Sequence, residues 1–287
     1  MAQSPTHRLG QFIGELIEKS LHKPLAALAK KHGLYLDYKH ARPARDGKQK
    51  AAWRDLKGNT HDLDYVMEIG GTESMIGRPK AFIEVAYRRY TKHSRNKAQE
   101  MQGAIMPLAE TYASDRPFLG VVLGGVFTAN SVTQLSSHGF GVLHFPYASI
   151  VAAFKVVGVD VAFDEDSSDA DVTKQVRACE RLDDAQRTKV GKRLHQLHRH
   201  ELNQFLAELE TCLTRMISGV LVLALHGQSC ESASIGQAVE FIRGHDESSA
   251  IAGFCRYEIH IRYNNHDEVR GNFQEKQEAI RFLETFR

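Results

Sequence analysis

Residues 118–127 read FLGVVLGGVF, ten positions without a charged side chain. A strand with one wet face alternates apolar and polar residues. A run this uniformly apolar is a strand covered on both faces, the pattern of sheets that carry helices on either side. It is far short of the roughly 20 apolar residues needed to cross a bilayer. A short helix over SVTQLSSHG and a second strand over FGVLHFPY, 140–147, follow it. Strand, helix, strand in that order predicts a parallel pair.

The flanking sequence extends this sheet. Apolar residues at Leu9, Phe12, Ile13, Leu16, Ile17 and Leu21 predict a helix over 8–31, with Pro24 as a break or kink. LYLDY (34–38), DYVMEI (64–69) and AFIEVAY (81–87) read as strands, the last two as a hairpin across GGTESMIGRP. Residues 41–61 read as a polar, basic loop. Ala98, Met101, Ile105, Leu108 and Tyr112 mark a helix over 94–112. SIVAAFKVVG reads as helix and VDVAF (159–163) as a last short strand. The expected class is α/β, a mixed central sheet flanked by helices. Beyond it come an acidic stretch, DEDSSDAD, and long helices over 171–213. A strand over 217–227, the helix SIGQAVEFIRG, a hairpin turning at NNHD and a closing helix then predict a small βαββα unit. The expected boundaries are a core over 1–165, a helical linker over 166–214 and an accessory domain over 215–287.

The net charge is only +2, but its distribution is uneven. Lys39, Arg42, Arg45, Lys48, Lys50, Arg54 and Lys57 crowd one stretch; Arg78, Lys80, Arg88, Arg89, Lys92, Arg95 and Lys97 crowd another. Such clusters predict a polyanionic partner for the first half. Cys179, Cys212, Cys230 and Cys255 are widely spaced, with no Cys-x-x-Cys pair, which argues against a disulfide framework or a cysteine zinc site. Met1 to Gly10 lacks the apolar core of a secretory signal. A cytoplasmic protein with reduced thiols and no membrane span is expected.

The predicted hairpin places Asp62 and Asp64 at the start of one strand and Glu84 inside the next. Neighbouring strands lie about 4.8 Å apart, so an Asp and Glu84 can converge. A carboxylate in so apolar a strand needs compensation, and a divalent cation supplies it. Phosphodiester cleavage uses such a metal on paired carboxylates, with a lysine nearby to stabilise the transition state.

The order Asp, about twenty residues, then Glu-x-x across a hairpin, with a helix packed beneath, resembles the PD-(D/E)xK nuclease superfamily, the restriction-endonuclease-like fold, over about residues 8–163. Asp64 matches the family's Asp best, because YVME follows it directly; Asp62 is the alternative. Glu84-Val85-Ala86 matches the (D/E)xK segment, with Ala86 where the lysine usually stands, and the proline before the Asp is also missing. The first helix often contributes an acid in this family, which points to Glu18, or to Glu15. Lys97, one turn before Met101 on the helix stripe, is the candidate to return the missing cation; Lys92 is next, and Glu100 is a possible further acid.

The resemblance implies a Mg²⁺-dependent DNA endonuclease, with Mn²⁺ able to substitute. Asp64, Glu84 and the Val85 carbonyl would hold the metal, with Asp64, Glu84 and Lys97 as the catalytic set. Arg42, Arg45, Lys48, Arg88, Arg89, Lys92, His93 and Arg95 are expected to grip the phosphates of double-stranded DNA. A type II-like restriction enzyme working as a homodimer is the implied role. The alternatives are a degenerate nuclease fold that only binds DNA and a subunit of a defence or repair complex. His195, His198 and His200 read as a solvated helix face, and LGG at 123–125 as close-packing glycines rather than a phosphate loop.

Overall fold

The structure is a computed structural model that describes residues 4–225, 228–248 and 253–287, and for 91–95 the backbone alone. The chain divides into two compact units. The first comprises 1–112 and 117–213, the second 113–116 and 214–287.

The first unit opens with α1, Pro5–Lys31. Ser4 caps it by accepting from the His7 amide, Pro5 stands at the first helical position, and the helix runs through Pro24 without a break. Next come β1 (Tyr35–Tyr38), β2 (Ala51–Arg54), β3 (Thr60–Leu63), β4 (Tyr65–Ile69) and β5 (Arg78–Arg88). After these lie α2 (Thr91–Thr111), β6 (Phe118–Gly125), α3 (Ala129–Ser137), β7 (Phe140–Pro146) and α4 (Tyr147–Phe154). The unit closes with α5 (Asp169–Glu180), α6 (Asp184–Leu197) and α7 (Arg199–Leu213).

The central sheet is mixed, in the order β1-β4-β5-β6-β7. β1, β4 and β5 pair antiparallel; β5, β6 and β7 pair parallel. Alternation along β5 sorts the two faces. Ala81, Ile83 and Tyr87 join the cluster that holds α1 and α5–α7, while Phe82 and Ala86 join Ala98, Met101, Ile105 and Leu108 of α2. β6 is covered on both faces, as its sequence predicts. Gly125 ends it with φ 99°, and a Cβ there would sit 2.0 Å from the Arg88 carbonyl oxygen, so only glycine allows the close approach of β5 and β6.

Three parts of the first unit differ from expectation. Residues 41–61 are not an open loop: β2 and β3 form a two-stranded sheet, and Trp53 packs edge-on against Phe82 and Tyr112. VDVAF is not a strand, although Val161 and Phe163 are buried. Its backbone is served by side chains instead: Tyr147 Oη accepts from the Phe163 amide, Gln175 donates to the Ala162 carbonyl and Arg89 to that of Phe163. Residues 166–213 are no linker. Val172, Val176, Cys179, Val190, Leu194, Phe205 and Leu209 complete the core under the sheet, each worth about 1.5–3 kcal/mol if apolar burial is full.

The second unit has β8 (Ile217–Ala224), β9 (Gln228–Ser232), α8 (Ile235–Gly244), β10 (Tyr257–Tyr263), β11 (Glu268–Phe273) and α9 (Lys276–Glu284). Its antiparallel sheet runs β11-β10-β8-β9, making the unit ββαββα. QSCES of β9 escapes the sequence because it carries no apolar alternation. Its apolar core shares no residue with the first unit's cores. None of the four cysteines is in a disulfide. Among the described residues, no helix is long and apolar enough to cross a membrane.

Candidate active site

The register of the central hairpin builds the site. β4 pairs with β5 so that Tyr65 faces Ile83 and Val66 faces Phe82. One step further sets Asp64 opposite Glu84, on the face shared by Val66, Phe82 and Ala86. Side chains directly opposite on an antiparallel pair are separated by only about 5 Å, and like charges there repel. The two carboxyls come within hydrogen-bonding reach of each other, and Asp64 Oδ2 also accepts from the Val85 amide at 2.7 Å.

Burial first, then the neighbouring Asp64 charge, pushes the Glu84 carboxyl well above the ordinary carboxylate range. Burial also raises Asp64, against the opposing pull of the Val85 amide, its bond to Glu84 and the charges of Lys97 and Lys39. Glu18 acts on Asp64 from α1, whose position over β4 is fixed by the Tyr65 hydroxyl donating to the Glu18 carbonyl at 2.8 Å. Burial and the Asp64 charge push the Glu18 carboxyl up to about 7. Asp64 therefore carries the repulsion of two further acids, Glu84 of β5 and Glu18 of α1.

Lys97 answers them from α2. Its charge bears on both Asp64 and Glu84, while its direct ion pair is with Glu100, Nζ to Oε2 3.5 Å. Ala86, where the sequence resemblance expects a lysine, is a buried methyl group packed in the α2-side core. Lys39, just past β1, is the cation that site prediction missed. It acts on Asp64 and Glu18, but nothing in its local sequence marks it, because the pairing of β1 with β4 brings it there.

Other sequence candidates lie elsewhere. Asp62 is exposed on β3 and pairs with Lys50, so the alternative to Asp64 is excluded from the pair. Glu100 is an exposed rim acid between Lys97 and Arg88, and Glu15 touches the site only through Glu18. Arg42 and Arg45 are not phosphate contacts. Arg42 is wholly buried, with Nη1 2.9 Å from Asp37 and 2.7 Å from Glu68, and it donates to the Thr72 and Met75 carbonyls. Arg45 Nη2 lies 2.8 Å from Asp37. These guanidiniums hold β1 and β4 to the following turns. Lys48 is exposed. Arg88 donates to the Tyr87 carbonyl, and Arg89 donates to Phe163 and stacks 3.9 Å above the Tyr147 ring. The side chains of Lys92, His93 and Arg95 lie outside the described residues. His195 and His198 are packed rather than solvated: His195 bonds to Ser20 Oγ at 3.0 Å, and both rings contact Phe145.

No family model matches the sequence, and no curated protein does. A structural similarity is found with the crystal structure of a protein of unknown function, AF1548. It covers 69% of this chain and 98% of that one at 9% identity, with a TM-score of 0.27. At that score the similarity carries no argument about fold or function. The site is read from its own chemistry.

Among the described residues, no set of three His, Cys, Asp or Glu ligands is assembled. Mg²⁺ makes a smaller demand, one or two carboxylates with the remaining positions filled by water. Two half-buried carboxyls pressed together, both raised above the ordinary carboxylate range, are a donor set short of positive charge, and this fits a divalent cation.

Proposed function

We propose that the first unit is a restriction-endonuclease-like domain that hydrolyses DNA phosphodiester bonds with Mg²⁺. The observation that carries this reading is the Asp64–Glu84 pair: facing each other across the hairpin, half-buried, raised in pKa and overlooked by Lys97. Structural ion pairs do not place two acids face to face.

Asp64 and Glu84 would hold the metal, with the Val85 carbonyl as the third ligand implied by the family resemblance. The Val85 amide fixes Asp64 by holding Oδ2. A bound Mg²⁺ neutralises charge on the phosphoryl oxygens and makes water nucleophilic. Lys97, on a helix rather than on β5, places a positive charge toward the phosphate oxygens that gain charge in the transition state. Glu18, with its carboxyl near neutrality, is suited to accept a proton from the attacking water. Lys48 and Arg88 would meet the DNA backbone. The biological role proposed is a type II-like restriction enzyme, dimeric because duplex DNA presents two strands about a two-fold axis.

Incubation of the purified protein with plasmid and phage DNA tests this. Mg²⁺ should yield cleavage that EDTA abolishes, and Glu84→Gln should remove cleavage while leaving DNA binding in place. Discrete fragments support a restriction enzyme. Salt-dependent binding with no cleavage under Mg²⁺ or Mn²⁺ supports the second reading, a DNA-binding domain that has lost catalysis. The buried methyl of Ala86 favours that reading.

A further inference from the structure

A cleft of about 650 Å³ opens at the carboxyl end of β5, beside the carboxylate pair. Val85, Ala86 and Lys97 line it, and so does the first turn of α1 through Ser4, Thr6 and His7. Crevices at the carboxyl ends of parallel strands are where open α/β sheets bind ligands. This one contains a polar group with no partner. Tyr87 is 7% exposed, lines the cleft, and its hydroxyl has no hydrogen bond among the described residues.

The direction of that hydroxyl follows from the glycines around the ring. A Cβ on Gly14 would meet Tyr87 Cβ at 3.6 Å, and one on Gly10 would meet Cδ1 and Cε1 at 3.6 Å. The ring therefore runs along α1 toward its N-terminus. Its other edge lies against Gly124 and Gly125 at the end of β6. Four glycines make room for a tyrosine whose hydroxyl has no hydrogen-bond partner among the described residues, although a buried unsatisfied hydroxyl is a cost.

The N-terminus of α1 supplies a second anion-seeking feature. Ser4 satisfies the His7 and Arg8 amides, Pro5 has none, and among the described residues the Thr6 amide has no partner at the positive end of the helix dipole. Arg88, Arg89 and Lys97 add charge to the walls. Each is partly engaged: Arg88 with the Tyr87 carbonyl and Glu100, Arg89 with Phe163 and the Asp164 charge, Lys97 with Glu100.

We propose that this cleft binds a backbone phosphate next to the one that is cut, with the Tyr87 hydroxyl and the N-terminal turn of α1 as donors and Arg88 as counter-charge. This rests on the nuclease reading for the word "cut", but the phosphate site stands on its own geometry. Tyr87 lies three residues beyond Glu84, about 10 Å along the strand and on its opposite face, so the donors of the cleft and the carboxylate pair address different phosphates of one backbone.

The test is equilibrium binding of a fluorescein-labelled 20-base-pair duplex to the full chain in EDTA, over a series of salt concentrations. Tyr87→Phe should weaken binding about tenfold, the effect of one hydrogen bond to a charged group. It should leave the salt slope unchanged and the Tm no lower than wild type, since it removes an unpartnered hydroxyl. Arg88→Ala should reduce the slope by about 1. Wild-type affinity in Tyr87→Phe, a loss of affinity explained by a lowered Tm, or no binding by the wild type would each overturn the proposal. If the wild type binds with this Tyr87 dependence yet cuts nothing under Mg²⁺, the cleft stands and the nuclease reading falls. If it cuts and Tyr87→Phe binds normally, the reverse holds.

Discussion

Glu84 sits in an apolar strand with an aspartate facing it, an arrangement that costs stability in the metal-free protein. Replacing it with the neutral isostere should therefore stabilise the fold while removing function. Glu84→Gln in EDTA at pH 8 is expected to raise Tm, by about 2–4 °C for each kcal/mol of repulsion relieved. Glu18 gives the pH signature. Its carboxyl ordinarily titrates near 4.5 and in the fold near 7. Between those values the folded chain keeps a proton that the unfolded chain has released, so the Glu18 contribution to stability falls as pH rises from about 4.5 to 7 and is flat above. Thermal unfolding of Glu18→Gln and wild type should thus diverge over that interval, the variant gaining. At Lys97, substitution by Ala should lower Mg²⁺-dependent cleavage by about 10²–10³-fold. Adding Ala86→Lys to that variant should restore part of it, because residue 86 shares the face of Glu84 and borders the cleft.

At the level of elements, the hairpin and the helix beneath it were legible because each advertises a period: alternation in β5, a 3.6-residue stripe in α2. Asp64 and Glu84 could be picked out for the same reason, as charges interrupting an apolar pattern. Arg42 and Arg45 could not. Their neighbours in sequence are basic and polar, and the acids that bury them, Asp37 and Glu68, arrive through the pairing of β1 with β4. Density of cations along a chain does not say where a guanidinium points. The consequence is measurable. Arg42→Ala leaves the buried Glu68 carboxylate without its cation and Asp37 with Arg45 alone, and should cost about 3–5 kcal/mol in urea unfolding. Lys48→Ala should leave stability unchanged and weaken DNA binding most at low salt.

At the scale of the whole molecule, the helices over 166–213 show how far sequence reading reaches. An acidic stretch before them reads as a boundary, yet Val176, Leu194 and Phe205 face a core they could not find alone. The true division falls after Leu213, where a separate apolar cluster begins. A chain ending at 213 should therefore unfold cooperatively and keep the Asp64–Glu84 site, as followed by circular dichroism. One ending at 165 should not fold.

The central claim is that Asp64 and Glu84 form a site for a divalent metal, and Mn²⁺ titration by calorimetry at pH 8 addresses it most directly. The account predicts saturable binding by the wild type that is lost in both Asp64→Asn and Glu84→Gln, each remaining folded. No Mn²⁺ binding by the wild type, or equal binding by Glu84→Gln, would contradict it.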